Sequence, residues 1–439
     1  MIMFMFCILD IKDKESGTIL FKENSTTSPF AMRPLFLILG KEEKNNLEDV
    51  KHALAERSEI DKLEVMSESD TNVHEIELKA SFSMIDAKMR GLCSGLGGAF
   101  CLLCTVSQDV ACGRVESLKT EEMFIVNRTM EETLECYEKM KDDDGNVHGT
   151  SLERRGLTTA PLLEDNSIFS VSPLHCIMRT FDFLKLLLYH LRSQTFHWSS
   201  TPLQLGTSFK RFKAAKEEVK QEVHQKTGLP LDQADPTGQG GNANKGDLCK
   251  KLMVDHRELL VSLAPEKFQD NLRDLICRLW VILYVYNSKR RVKVAEFKEF
   301  CLQTYEAIFT GFNNKKRWIN VSPTVHSLLA HSYQLIENND CFGLGDFSES
   351  GVENCNKYLR FYRCNLARKN NQDNNLEDCL TRLWVRSDPV VRKSCPAVRC
   401  ARCDCFGHHT VSCPMKVLPE TSSCITEDDW YFSCLFTDI

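Results

Sequence analysis

Apolar and polar positions change rhythm along this chain of 439 residues. Over the first ninety the rhythm is short. Met3–Leu9 and Thr18–Phe21 read as strands, and Pro34–Leu39 is a brief apolar strand that stops at Gly40. Glu48–Arg57 has helical spacing. His74–Ile85 alternates, setting Ile76, Leu78, Ala80, Phe82 and Met84 on one face. Strands mixed with a helix predict an α/β domain. From about residue 93 the period lengthens. A Gly-rich turn, Ser94–Gly98, leads into Cys101-Leu-Leu-Cys104, and a polar, acidic stretch runs on to Gly149. Helical patterns then cover Ile177–Arg192, Phe209–Lys226, Asn271–Tyr286, Val294–Phe312, His326–Ile336, Val352–Arg368 and Leu376–Val385. Asp232–Gly246 is rich in Pro, Gly and Asn and predicts an exposed loop. No apolar run approaches the ~18 residues that a membrane helix needs.

Composition narrows the function classes. A net charge of −6 argues against a uniformly basic nucleic-acid coat, though not against local basic surfaces. The 21 cysteines are odd in number and mostly unevenly spaced. The opening MIMFMFCIL lacks a positive segment and runs into Asp10, Lys12, Asp13 and Lys14, unlike a secretory leader. Reduced thiols are therefore expected, with Cys136, Cys277 and Cys301 as small buried hydrophobes. The Gly-rich stretch 238–241 is not a P-loop, because no G-K-[ST] closes it.

Four stretches carry candidate chemistry. In the tail, Cys400, Cys403, His408 and Cys413 fit C-x2-C-x4-H-x4-C, the donor set of a small structural zinc knuckle. Gly407 supplies the tight turn, Cys405 and His409 are spare donors, and knuckles of this size commonly grip nucleic acid. Cys101 and Cys104 form a lone CxxC. His326 and His331 lie five apart on a helix, ~140° round its axis, so a distorted first turn is expected if both are to face one ion. Together they could form a two-Cys, two-His site. Closing so long a loop costs on the order of 5 kcal/mol, against roughly 10–16 kcal/mol from a structural zinc. Glu353 heads a helix whose register Glu353, Lys357, Arg360, Cys364, Arg368 puts an acid before a cationic ridge. That could be a metal-binding carboxylate with phosphate-binding cations, or a solvated face with its acid at the favourable dipole end. Asp86 ends an alternating strand, as a metal ligand at a strand's carboxyl end would, or as a helix N-cap.

Three separate stretches resemble one family. Val325–His331, then Gly345, then SESGVENCNKYLRFYRCNLAR are similar to the DDE-type family that holds the catalytic subunit of the V(D)J recombinase and the Transib and ProtoRAG transposases. So is SMIDAKMRGLCSGLGGAFCLLC, and PLFLILGKEE looks like the strand that precedes it. The tail knuckle is like that of the invertebrate members. The resemblance implies an RNase-H-like α/β core, incomplete at its amino end, interrupted by a mostly α-helical, zinc-stapled insertion, plus the CCHC tail. Domains are then expected at 1–92 (core), 93–170 (CxxC region), 171–345 (helical insertion with the zinc histidines), 346–390 (catalytic helix), 391–418 (knuckle) and 419–439 (tail).

Position by position, the resemblance makes Asp86 and Glu353 the second and third catalytic carboxylates, with Glu349 the weaker choice for the third. It makes Cys101, Cys104, His326 and His331 a zinc set and puts His175 near the active centre. Lys250 and Lys251 match a basic pair that handles DNA; Lys357, Arg360, Arg363 and Arg368 would join them on phosphates. The implied cofactors are two Zn²⁺ per chain and catalytic Mg²⁺ or Mn²⁺, two ions ~4 Å apart acting on phosphodiesters. The implied partners are DNA bearing terminal repeats or recombination signals, a second recombinase subunit, and a second copy in full-length members, in the nucleus and without a membrane. One departure stands out: the family's first catalytic aspartate falls upstream of the stretch matching residues 1–33, and Asp10 sits too close to the PLFLIL strand to replace it. Little or no cleavage is therefore expected of this chain. The alternative is a non-catalytic, zinc-stabilised DNA- or partner-binding protein.

Overall fold

The computed structural model describes residues 2–7, 10–12, 16, 18–22, 28, 31–38, 62–66, 73–77, 87–112, 124–126, 128–162, 169–196, 206–232, 245–312, 318–388, 391 and 434–437. Six strands come first: β1 Ile2–Phe6, β2 Asp10–Lys12, β3 Ile19–Lys22, β4 Arg33–Ile38, β5 Lys62–Met66 and β6 Val73–Glu77. The helices are α1 Ala87–Ser94, α2 Gln108–Ala111, α3 Met130–Met140, α4 Pro173–Ser193, α5 Thr207–Thr227, α6 Gly246–Val254 and α7 Arg257–Ser262. They continue with α8 Gln269–Tyr286, α9 Val294–Thr310, α10 Pro323–Asn338, α11 Ser350–Asn365 and α12 Gln372–Ser387. None of the described helices is long and apolar enough to cross a membrane. The expected helix over Glu48–Arg57, the later part of the His74–Ile85 strand, and the knuckle lie outside the described residues.

The chain divides into two compact units, 1–98 with 128–170 and 349–413, and 99–127 with 171–348 and 414–439. In the first, the strands form three antiparallel pairs, β1 with β4, β2 with β3 and β5 with β6. The register of the first pair runs from Ile2 opposite Ile38 to Phe6 opposite Arg33, with an irregularity at Phe4/Met5. Beside them, α11 and α12 form a hairpin around buried Leu359, Ala367, Cys379 and Leu383, with Tyr358 and Tyr362 packed on it. Helix α12 also packs on β4, where the Arg33 guanidinium lies 4.9 Å over the Trp384 ring. The Gly-rich turn earns its glycine at Gly95, whose φ is +73° and where a Cβ would overlap the Thr159 carbonyl oxygen. That approach is held by Thr158 N–H donating to Gly95 O at 2.8 Å. Residues 128–170 go with the first unit, while 99–127 go with the second.

The second unit is helical. Helix α4 is its centre, packed on α5, α6, α8 and α10, and it buries Phe181, Leu184, Leu187 and Leu188. Helix α8 is apolar almost all round, with Leu279, Val281, Ile282, Leu283 and Val285 each no more than 1% exposed, as expected of a helix with neighbours on every side. Helices α4 and α10 open alike. Ser172 and Ser322 accept from the amides three residues on, and a proline follows each in the first turn, where its missing N–H has no intrahelical partner to lose.

Candidate metal centre

Two short sequence pieces meet inside the second unit. The first is the loop before α2, closed by an isolated bridge between Phe100 and Ser107. Cys101 N–H donates to Val106 O at 2.9 Å and Gln108 N–H to Ala99 O at 2.8 Å. The loop's tight shape turns both Cys101 and Cys104 to one side. The second piece is the first half of α10. Between them, Gln108 Nε2 donates to Asn320 Oδ1 at 3.1 Å and Val321 N–H to the Cys112 sulfur at 3.2 Å. These bonds fasten α2 to the segment that leads into α10.

Cys101, Cys104, His326 and His331 converge with their ligand atoms all within 4.8 Å of one another. None is more than 1% exposed. Cys104 Sγ is 3.5 Å from His326 Nε2, and the two imidazoles meet edge-on with centroids 5.2 Å apart. Helix α10 is unbroken from Pro323 to Asn338. The expected distorted first turn is thus corrected: a regular helix serves, because the side chains reach across the angle between the two positions.

The surrounding hydrogen bonds fix which imidazole nitrogen faces the cluster. Tyr305 donates its one hydroxyl proton to Ala111 O at 2.8 Å. Its oxygen, 3.2 Å from His326 Nδ1, must therefore accept from that nitrogen. The proton sits on Nδ1 and the lone pair on Nε2, toward Cys104. His331 repeats the logic, with Nδ1 3.3 Å from Gln334 Oε1, an acceptor. Its Nε2 is buried and has no hydrogen-bond partner, a costly state in an apolar interior unless something accepts the lone pair. Burial presses the Tyr305 phenol well above its ordinary value, with the Cys112, Cys104 and Cys101 charges adding to it, so it keeps its proton. Burial would also raise the Cys101 thiol, but the polar groups of Cys104, His326 and His331 gathered round it outweigh burial and hold the thiol well below 9.0. Leu103 N–H points at the same sulfur from 3.4 Å and Ser327 Oγ lies 3.0 Å away. Two cysteine sulfurs, that of Cys101 favoured as a thiolate, and two imidazoles fit a four-coordinate cation of borderline softness. Tyr305, Ser327 and Gln334 have no signature in the sequence beyond Gln334 standing three after His331 on a helix.

The remaining candidates are not brought to this cluster. Asp86 and the tail set Cys400, Cys403, His408 and Cys413 lie outside the described residues. Glu353 sits in the first turn of α11, exposed, its amide donating to Glu349 O at 2.9 Å. Glu349, one turn earlier, is buried. Lys357, Arg360 and Arg363 are exposed along α11. Arg368 departs from the ridge reading. It lies beyond the end of α11, its guanidinium bonds Asp378 at 2.9 Å and Glu377 at 3.0 Å, and its amide also donates to Asp378. Its charge clamps the α11–α12 hairpin. His175 is half-buried in the first turn of α4, its ring and its amide both 3.1 Å from Ser172 Oγ. Lys250 and Lys251 are exposed on α6.

Comparison with known proteins agrees with the resemblance read from the sequence. The family model of the recombination-activation protein 1 (RAG1) RNase H domain matches residues 1–99. Over 413 residues, 89% of the chain, the sequence is 22% identical to the V(D)J recombination-activating protein 1 of Xenopus laevis. The chain spans 36% of that relative's length. The chain is thus similar to RAG1, with the RNase H domain match confined to its amino-terminal region and a mostly helical remainder among the described residues.

Proposed function

We propose that this chain works in DNA recombination or transposition, as a DDE-type recombinase or transposase sequence whose helical region is stapled by zinc. The observation that carries the reading is the similarity to a V(D)J recombination-activating protein along 89% of the chain. The buried two-Cys, two-His cluster supports it, since it joins residues 101–104 to 326–331 as the resemblance implies. In this reading zinc takes Cys101, Cys104, His326 and His331, and a second zinc takes Cys400, Cys403, His408 and Cys413. Asp86 and Glu353 would hold Mg²⁺ or Mn²⁺, an ion that would supply activation of water or of a DNA 3′-hydroxyl toward a phosphodiester. His175 matches a residue that the resemblance associates with that chemistry. Lys250, Lys251, Lys357, Arg360 and Arg363 bind flanking phosphates. The DNA carries terminal repeats or recombination signals, a second subunit and a second copy complete the assembly, and the site of action is the nucleus.

The test pairs ion binding with cleavage. Mn²⁺ titration of the protein and of Asp86→Ala and Glu353→Ala should show weaker binding in both variants, while nicking of terminal-repeat DNA should be little or none in the parent, which lacks a match to the first catalytic aspartate, and absent in both variants. Equal ion binding by all three proteins would refute the assignment. A second reading, a zinc-stabilised DNA- or partner-binding protein without catalysis, is favoured by one observation: the cluster whose ligand atoms converge among the described residues is a closed one, with all four side chains buried. Metal-dependent duplex binding together with equal Mn²⁺ binding by all three proteins would select it.

A further inference from the structure

Helix α5 is divided by charge. Its second half is matched: Lys220 pairs with Glu217 at 3.1 Å, and Arg192 of α4 reaches Glu218 at 3.4 Å and Glu222 at 3.0 Å. The first half has no acid at all between Thr207 and Lys216, yet it carries Lys210, Arg211, Lys213 and Lys216. Lys216 is engaged by Asp232 at 3.3 Å. Lys210, Arg211 and Lys213 are exposed and make no ion pair among the described residues. Lys210 and Arg211 have no acid three or four positions away, and Glu217, four after Lys213, is turned to Lys220.

This arrangement works against the helix. Lys210 and Lys213, and Lys213 and Lys216, are like charges three apart, which repel across one face. All of them crowd the half of the helix nearer its amino end, where the macrodipole is already positive. Phe209 adds to the mismatch: its ring is 39% exposed, four positions before Lys213, on the same stripe. Buried Ala215, Val219 and Val223 pack the helix against the unit; Lys210 and Lys213 lie well away from that side, Phe209 and Arg211 flank it on either hand, and all four are exposed. Cations that weaken their own helix and an apolar ring left in water both gain only when a partner covers them. In a chain of net charge −6, the concentration of unmatched cations here calls for a polyanion. An aromatic ring among them suits a sugar–phosphate backbone better than a carboxylate-rich peptide, because it can pack on the apolar faces of deoxyribose between the phosphates that the cations take.

We propose that the exposed edge of α5, formed by Phe209, Lys210, Arg211 and Lys213, is a phosphate-backbone contact surface for duplex DNA. It rests on the DNA reading above but is separate from the carboxylates and from the lysine pair on α6. The test is fluorescence anisotropy of a labelled duplex titrated with the full chain across a NaCl series. Each phosphate contact contributes about 0.9 to the slope of log K against log salt. The triple variant Lys210→Ala/Arg211→Ala/Lys213→Ala should lower that slope by about 2–3, while Lys139→Ala/Lys141→Ala on α3 should leave it unchanged. Phe209→Ala should weaken binding severalfold at an unaltered slope. Metal content and circular dichroism matching the parent certify the fold. A parent slope retained by a folded triple variant overturns this proposal alone. A parent chain with no salt-dependent duplex affinity overturns the DNA reading together with it.

Discussion

Replacing Cys104 by serine should remove one metal ion per chain and open the helical unit. Cys104 and His326 are 222 residues apart and 3.5 Å from each other, so the metal closes a very long loop. The chain-entropy relation for a cross-link over that length gives roughly 5 kcal/mol of stabilisation. A structural zinc supplies roughly 10–16 kcal/mol in small peptides, enough to exceed that loop term. Not all of it disappears with the metal, since Gln108–Asn320, Cys112–Val321 and Tyr305–Ala111 bonds bridge the same pieces. The loop term alone, at about 2–4 °C per kcal/mol for a unit of this size, predicts a fall in Tm of roughly 10–20 °C. The assay is differential scanning calorimetry beside metal analysis, on the parent, on Cys104→Ser, and on the parent after chelation. Chelated parent and variant should melt at the same temperature. A parent with no ion at this cluster, or a variant that loses the ion without a change in melting, would refute the reasoning.

Tyr305→Phe removes the acceptor that holds the His326 proton on Nδ1; metal affinity should fall about 10–100-fold with little change in fold, read by competition against a chromophoric chelator. Asp232 is buried and receives Lys185, Lys216 and the Tyr189 hydroxyl. Asp232→Asn should leave Lys185 to Asp182 alone and Lys216 to solvent, and cost about 1.5–3 kcal/mol, read by urea denaturation. Arg360→Ala should lower the salt slope of duplex binding by about 0.9. Arg368→Ala should leave it unchanged, because Asp378 and Glu377 already neutralise that guanidinium. At Gly345 an added Cβ would overlap the carbonyl oxygen of Asn287. Gly345→Ala should therefore destabilise by about 1–3 kcal/mol, with a lowered Tm as the readout.

The helices were legible where one apolar face repeats over several turns. Ile177–Arg192 and Asn271–Tyr286 fall within α4 and α8. Their beginnings were less so: α4 and α10 start at Pro173 and Pro323, three or four residues before the apolar pattern, where the Ser-Pro pairs were the available signal. Helix α3 lies in the acidic stretch that showed no apolar face, and of its eleven residues only Met130 and Thr133 are buried. Periodicity had little to report there. Capping did, since Thr129 accepts from the Glu132 amide in a T-x-x-E pattern. The four metal donors could be named from the sequence, and it was the family resemblance rather than their spacing that joined them into one set. Spacing along α10 argued against His326 and His331 sharing an ion, and the tertiary fold supplies what spacing lacks.

The protonation pattern explains why this cluster suits a permanent ion better than a polar core. If it were only a hydrogen-bonded core, the sound arrangement would give each imidazole nitrogen a partner, because an unsatisfied buried acceptor costs roughly 1–3 kcal/mol. Instead, Tyr305 and Gln334 each occupy an Nδ1 from the outer side, and His331 Nε2 is left facing two sulfurs that carry little hydrogen-bonding capacity. Replacing the pair Tyr305 and Gln334 by Phe and Leu separates the two accounts. A polar core would tolerate the double change poorly whether or not metal is present. A metal centre should keep its ion at weaker affinity and recover its melting temperature as zinc is raised. Recovery that follows zinc concentration, absent with Mg²⁺, identifies the ion as the element that joins the CxxC loop to α10.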